Sequence, residues 1–449
     1  MRRATFLAVL ATIAAVAMVL AGASAAASPS TGQATKKAHA RTAAAAMVRQ
    51  VGLRNYAGPN CPGAGWNCTA STRVLQIAAA DGQNRVECSV EPTIVGASQS
   101  CVILQIGGSS NTARCVMRSS MPEAAQLCDI TQTGASNKAF VDQSIDQKDG
   151  SEQAGTQKAI VKQGTDSVGS TGGNELHLNQ DVKQQSKTGD LQSQNAGQSA
   201  IVLQFSAGSG ENSAHLDQSQ NQKLWGGSNQ AQNGADQSGF QSDCATSFPT
   251  GANACANVSQ VAVDGKNDNH LHQSIDEDAN GSDSSSAFQR QGSSNGGLFG
   301  KVHQVTATAR SENRVKQSKN LKMKGGGSQS QDDPVRCCGT ASQEGGAGNK
   351  EDIDQSSSLS ASQANAFQHA DLLGDSRSVP GTCNISQKAK TDDNSASNDS
   401  GAVSPCPFLQ LGTSCTSAGI ETPGGCTTFQ ETNNDRVAGL NFLSTKLRG

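Results

Sequence analysis

The sequence predicts an all-β protein: a β-solenoid (β-helix) of stacked strand-turn-strand coils with Gln/Asn ladders, about eight coils long. Three observations carry this expectation. Amides recur on a fixed grid, seven-residue arms follow one another in pairs, and the large side chains of an ordinary core are missing. The grid is clearest in QLCDITQTGASNKAFVDQ (126–143), where Gln126, Gln132, Asn137 and Gln143 bound two arms. Side chains alternate between the faces of a strand, so positions one, three, five and seven of an arm point the same way. That face carries Gln126, Cys128, Ile130 and Gln132 in the first arm and Asn137, Ala139, Val141 and Gln143 in the second. Between the arms, TGAS (133–136) consists of turn formers that reverse the chain.

Taken in order, the chain begins with basic MRR, an apolar run from Ala4 to Leu20 and the small residues Ala23, Ser24 and Ala25. These are the parts of a cleaved secretory signal, assigned to residues 1–27, although an uncleaved run of this length nearly suffices for a membrane anchor. The expected location is therefore secreted, extracellular or cell-surface, with no membrane contact after cleavage. Residues 28–69 read as a linker with a small loop closed by Cys61 and Cys68 in NCPGAGWNC. Residues 70–400 hold the repeats. Residues 401–449, with Cys406, Cys415 and Cys426, read as a cysteine-containing cap.

Within the repeats, ASTRVLQ (70–76) meets NRVECSV and QSCVILQ (99–105) meets NTARCVM. The pattern then sharpens. Gln157–Gln163 is followed by Asn174–Gln180, and Gln198–Gln204 by Asn212–Gln218. ACANVSQ, ending in Gln260, is followed by Asn267–Gln273, and LFGKVHQ, ending in Gln304, by SENRVKQ, ending in Gln317. GTCNISQ (381–387) reads as a last first arm, ahead of NSASNDS. Second arms starting at 137, 174, 212, 267 and 311 are 37, 38, 55 and 44 residues apart. The long interval contains SDCATSFPTGANAC, where Cys244 and Cys255 can close a surface loop, and solenoids vary by such insertions. A weaker third segment recurs as DLQSQNAG, SNQAQNGA, AFQRQGSS and GSQSQDDP. It leaves a three-sided coil and a two-sided arch both open.

Stacking explains the amides. Coils about 4.8 Å apart place equivalent residues in a column, where each carboxamide donates to one neighbour and accepts from the other. An unpaired buried amide would cost roughly 1–3 kcal/mol. The columns also hold register, because a one-residue slip turns the inward set outward.

Composition agrees. Aromatics are 3% of the chain, with one Tyr and two Trp, too few for a conventional enzyme core but compatible with a thin core of Ala, Val, Leu and Ile. Without the grid, so polar a mixture would read as disordered, and ordering only on assembly is one alternative. The net charge of −3 offers no basic face for nucleic acid. The 14 cysteines of an exported chain favour disulfides.

The arms resemble the repeats of curlin, the major subunit of bacterial curli, whose strand-turn-strand units carry Ser, Gln, Asn and Gln at this spacing. Gln126 stands where that family has Ser, and Gln132, Asn137 and Gln143 match. QSAIVLQFSAGSGENSAHLDQ fits with a longer turn. The resemblance implies a stacked β-helix that polymerises into extracellular amyloid fibres supporting adhesion and biofilm. The longer turns, the third segment and the cysteines depart from that family, and the fading end units look like capping coils that would oppose fibre growth.

Cys101 and Cys115 fall opposite each other across one arch and are expected to pair, with Cys88 and Cys128 also inward and a different pairing among the four open. His177, His215 and His270 share an outward position on successive second arms, with His272 two places on. Stacked imidazoles are candidate metal ligands, and exposed filler of a solvent face is the simpler reading. No HExxH or CxxC motif, no Ser-His-Asp arrangement and no phosphate loop stands out, so no catalytic residue and no cofactor is expected. The expected role is a non-enzymatic structural or adhesive protein that associates with itself or with other matrix or surface components. A monomeric solenoid adhesin or surface-binding module is the alternative. A solenoid polysaccharide-active enzyme would need clustered carboxylates, and the column of Asp142 and Asp217 is broken by Asn179, His272 and Lys316.

Overall fold

A computed structural model describes residues 46–52, 54–57, 71–90, 98–121, 123–148, 150, 152–165, 171–187, 189–232, 254–284, 286–292, 297–361, 367–391, 395–401, 416–417, 420–421, 425–432 and 442–448. The signal segment, Cys61, Cys68 and Cys244 lie outside the described residues. The described residues form an all-β solenoid of parallel strands, with one short antiparallel pair, Thr416–Ser417 and Ile420–Glu421, besides it.

The strands begin with Ala46–Val51 (β1), Arg54–Ala57 (β2), Ser71–Ile77 (β3), Gln83–Val90 (β4), Ser98–Ile106 (β5), Ser110–Ser119 (β6), Glu123–Thr133 (β7) and Asn137–Lys148 (β8). They continue with Glu152–Gly164 (β9), Asn174–Ser186 (β10), Leu191–Ser206 (β11), Asn212–Trp225 (β12), Asn229–Gln232 (β13), Ala254–Ala262 (β14) and Asn267–Asn280 (β15). Phe288–Gly292 (β16), Leu298–Thr306 (β17), Ser311–Lys324 (β18), Ser328–Ala361 (β19) and Phe367–Thr391 (β20) complete the main stack. Gly425–Thr432 pairs in parallel with β20, and Ser395–Gly401 pairs in parallel with Phe442–Arg448.

First arms stack on first arms, in the order β1, β3, β5, β7, β9, β11, β14, β17. Second arms stack separately as β2, β4, β6, β8, β10, β12, β15, β18. The third segment makes no third side. β9 and β11 each run through third segment and first arm without a break, and β13 and β14 both lie on β11. The coil is a two-sided arch, and the Cys244 insertion falls between two collinear strands of one layer.

Burial alternates residue by residue, as in Asn137–Lys148 and Glu152–Gly164. Two inward columns form most of the core: Val74, Ile103, Ile130, Val161, Val202, Val258 and Val302 in the first-arm layer, and Val141, Leu178, Leu216, Leu271 and Val315 in the second. Each such side chain contributes about 1.5–3 kcal/mol through burial. Ala159, Ala200 and Ala256 are buried in the first-arm layer at the position that faces the Leu column, so small meets large across the arch. Close approach at the turns demands glycine. A Cβ on Gly210 would stand 1.8 Å from the Gly172 carbonyl oxygen of the coil before, and one on Gly265 equally close to that of Gly210.

Three features differ from the pattern read in the sequence. Gln50 and Asn55 form an earlier coil, in register with Gln76 and Asn84. Asn349–Gln355 (NKEDIDQ) is a second arm with Gln355 on Gln317. GTCNISQ is a second arm rather than a first, because Gln387 is in strand register with Gln355.

Candidate functional site

The amides line up in columns. In the first-arm layer, Gln76, Gln105, Gln132, Gln163, Gln204, Gln260 and Gln304 each donate from Nε2 to the Oε1 of the coil before, at 2.7–2.9 Å, with Gln50 accepting at the start. The second N–H crosses the arch. Gln132 donates to the Lys138 carbonyl at 2.9 Å, Gln163 to Glu175, Gln204 to Ser213 and Gln304 to Glu312. From Gln76 to Gln260 both donors and the acceptor of each buried carboxamide are thereby used.

A second column, Gln143, Gln180, Gln218, Gln273, Gln317 and Gln355, is joined at 2.7–2.8 Å with the same polarity. A third joins Gln157 to Gln126 and Gln198 to Gln157, both at 3.1 Å, and stops where Ala254 takes the place. The asparagines run the other way. Asn84, Asn111, Asn137, Asn174 and Asn212 each donate to the Oδ1 of the next coil at 2.8–2.9 Å. Asn267 ends this run on Ser311 Oγ at 3.4 Å.

Further columns went unassigned in the sequence. Gln147, Gln184 and Gln222 form one, Gln153, Gln194, Gln232, Gln291 and Gln331 another, and Gln192, Gln230, Gln289 and Gln329 another. The signal was present in the repeated SIDQ, DVKQ and SQNQ, which stand at a constant offset from the second arms, and in the Q-x-Q of each third segment.

The expected Cys101–Cys115 disulfide is corrected. Cys88 bonds Cys101 and Cys115 bonds Cys128, with Cα separations of 6.5 and 6.3 Å. The two layers are staggered by half a coil, as Gln163 Nε2 shows by reaching both the Asn137 carbonyl of the earlier coil and the Glu175 carbonyl of its own. Cys101 therefore sits between Cys88 and Cys115. Pairing it with Cys115 would strand Cys88 and Cys128, whereas the observed pairing uses all four and links each coil to the next. Cys255 is buried and disulfide-bonded.

Outward on the second-arm layer, the predicted histidine column is a ring stack. Phe140 and His177 have centroids 5.4 Å apart, His177 and His215 5.9 Å, and His215 and His270 4.7 Å, with Arg314 next in register. Burial, with the charges of His270 and His177, holds the His215 pKa below its usual 6.5 despite Asp268 and Asp217. Acids flank the rings: Glu175 Oε1 lies 3.0 Å from His177 Nε2, Asp268 Oδ1 3.4 Å from His270 Nε2, and Asp217 Oδ1 3.2 Å from His272 Nδ1. As the side chains stand, no three His, Cys, Asp or Glu among the described residues converge at metal-binding geometry. Asp142 and Asp217 do not meet, and Asn179 donates to Asp142 Oδ1 at 3.1 Å between them.

No protein family, no curated protein and no solved structure matches the chain.

Proposed function

We propose that this chain is an exported, non-enzymatic structural or adhesive protein of an extracellular matrix or fibre, in the manner its resemblance to curlin implies. The reading rests on one observation. The glutamine column runs in unbroken register from Gln50 to Gln304, and each member repeats the same donor and acceptor along the axis. Such a column has a donor end and an acceptor end, and a second copy of the same polarity continues it without new chemistry. The outward ring and ion-pair columns support the alternative, a monomeric adhesin that binds a surface through its second-arm face.

The deciding experiment ages the secreted, oxidised chain and follows it by dye binding, electron microscopy and fibre diffraction. Fibres with a reflection near ~4.8 Å along their axis support the fibre reading. A β-rich monomer that stays monodisperse at high concentration overturns it in favour of the adhesin.

A further inference from the structure

We propose that His215, Asp217, His270 and His272 bind one transition-metal ion of the Zn²⁺ class, bridging two coils on the outward face of the second-arm layer.

Residues two apart on a strand project from one face. β12 and β15 are neighbours in parallel register, with His215 opposite His270 and Asp217 opposite His272. Four ligand-bearing side chains thus occupy the corners of a rectangle, about 4.8 Å across the strands and about 6.6 Å along them. The donor set of three imidazoles and one carboxylate suits tetrahedral Zn²⁺, and also Co²⁺ as its spectroscopic substitute.

The floor is rigid. Leu216 and Leu271, between the ligand pairs, point into the core and are fully buried, which anchors both strands. The corners are not. His270, His272 and Asp217 keep 31%, 43% and 54% of their side-chain surface, and side chains so exposed change rotamer in picoseconds to nanoseconds. The contacts already made favour convergence. His215 and His270 are 4.7 Å apart between centroids, and Asp217 Oδ1 and His272 Nδ1, at 3.2 Å, stand about as far apart as two ligands of one tetrahedral ion, which would take the place of the proton between them. Asp268 sits on Nε2 of His270 at 3.4 Å, leaving Nδ1 for the ion and supplying the carboxylate that commonly orients a ligating imidazole.

The coil beyond brings Arg314 and Lys316 beside His270 and His272. Glu312 draws the Arg314 guanidinium to itself at 2.5 Å, which lessens the opposing charge. On the other side, His177 lies 5.9 Å from His215 with its Nε2 on Glu175, and its partner two places on is Asn179. The binding unit is therefore this rectangle rather than the column His177, His215 and His270.

The test is calorimetric titration of the full secreted, oxidised chain with Zn²⁺, with Co²⁺ absorption as a second reading. One equivalent is expected to bind, His270→Ala and His272→Ala to weaken it by about tenfold or more, and His177→Ala to change it less than about twofold. Co²⁺ should give the intense visible bands of a tetrahedral site, absent in His272→Ala. Equal loss in His177→Ala and His272→Ala, no saturable binding below millimolar Zn²⁺, or a weak octahedral Co²⁺ spectrum would each overturn the proposal.

Discussion

The coils around Cys88, Cys101, Cys115 and Cys128 and those from Glu152 onward share one backbone and one register but are fastened differently. In the first group, disulfides cross the arch at the third first-arm and fifth second-arm positions. In the second group the same positions hold Ala159, Ala200 and Ala256 facing Leu178, Leu216 and Leu271. The Gln76–Gln304 and Asn84–Asn212 columns pass through both groups, whereas the column of Gln143 begins beyond Met117, its register partner, and that of Gln126 stops at Ala254. The arch thus tolerates either a covalent link or an apolar pair at its centre, while the edge at the turn keeps its carboxamides in both groups.

Removing an edge amide tests that contrast hardest. Gln204 is buried, donates to Gln163 at 2.8 Å and to the Ser213 carbonyl at 2.9 Å, and accepts from Gln260 at 2.7 Å. Gln204→Ala strands all three partners and opens a cavity, with an expected cost of about 3–5 kcal/mol. Native-state hydrogen exchange should localise the loss to β11 and its neighbours β9 and β14, because each coil of a solenoid contacts only adjacent ones. Gln105→Ala, with the same bonds inside the disulfide-linked group, should lose less protection. Equal loss at both positions would show that the disulfides do not reinforce the edges.

Reduction comes next in size. Each disulfide closes a separation of 13 residues, a loop for which chain entropy gives about 3 kcal/mol. Adding reductant should lower protection in β4 to β7 and leave β12 and β15 unaltered. Loss spreading to β15 would mean that the stack unfolds as one unit.

A smaller effect depends on pH at the far side of the stack. The Glu312 carboxyl is pushed up by burial, but the Arg314 hydrogen bond and the charges of Arg314, Arg310 and Lys350 outweigh this and hold its pKa below 4.5. Its contribution is complete above 4.5 and disappears as pH falls through the lower folded value. Coils around β18 should therefore loosen in acid below pH 4.5, and Glu312→Gln should flatten that dependence in a melting series.

Much of this was legible because the arm ends are chemically unusual. Buried amides must stack, so Gln132, Asn137, Gln163 and Asn174 marked strand, turn and register together. Legibility failed where one signature serves two roles. GTCNISQ ends in Gln as either arm does, and only the register of Gln387 with Gln355 assigns its layer. The disulfides were ambiguous because the half-coil stagger gives Cys101 two partners at nearly equal sequence distance. The first coil escapes the arm spacing since Gln50 and Asn55 are joined by just four residues, whereas the outward position shared by His177, His215 and His270 was legible and is a ring stack.

The least effect is expected at the junction between the two groups, where Lys138 Nζ of β8 meets Glu175 Oε2 of β10 at 2.6 Å. Both side chains are well exposed, at 48% and 35%, so water screens the pair and Lys138→Ala should cost no more than about 0.5 kcal/mol. The Lys138 hydrogen bond is the main cause of the lowered Glu175 pKa, which outweighs burial, with His177 adding to it. Its removal should raise that pKa toward 4.5, a shift that carboxyl NMR titration reads directly. A loss of stability comparable to that of Gln204→Ala would mean that this junction, rather than the amide columns, holds the disulfide-linked coils to the rest.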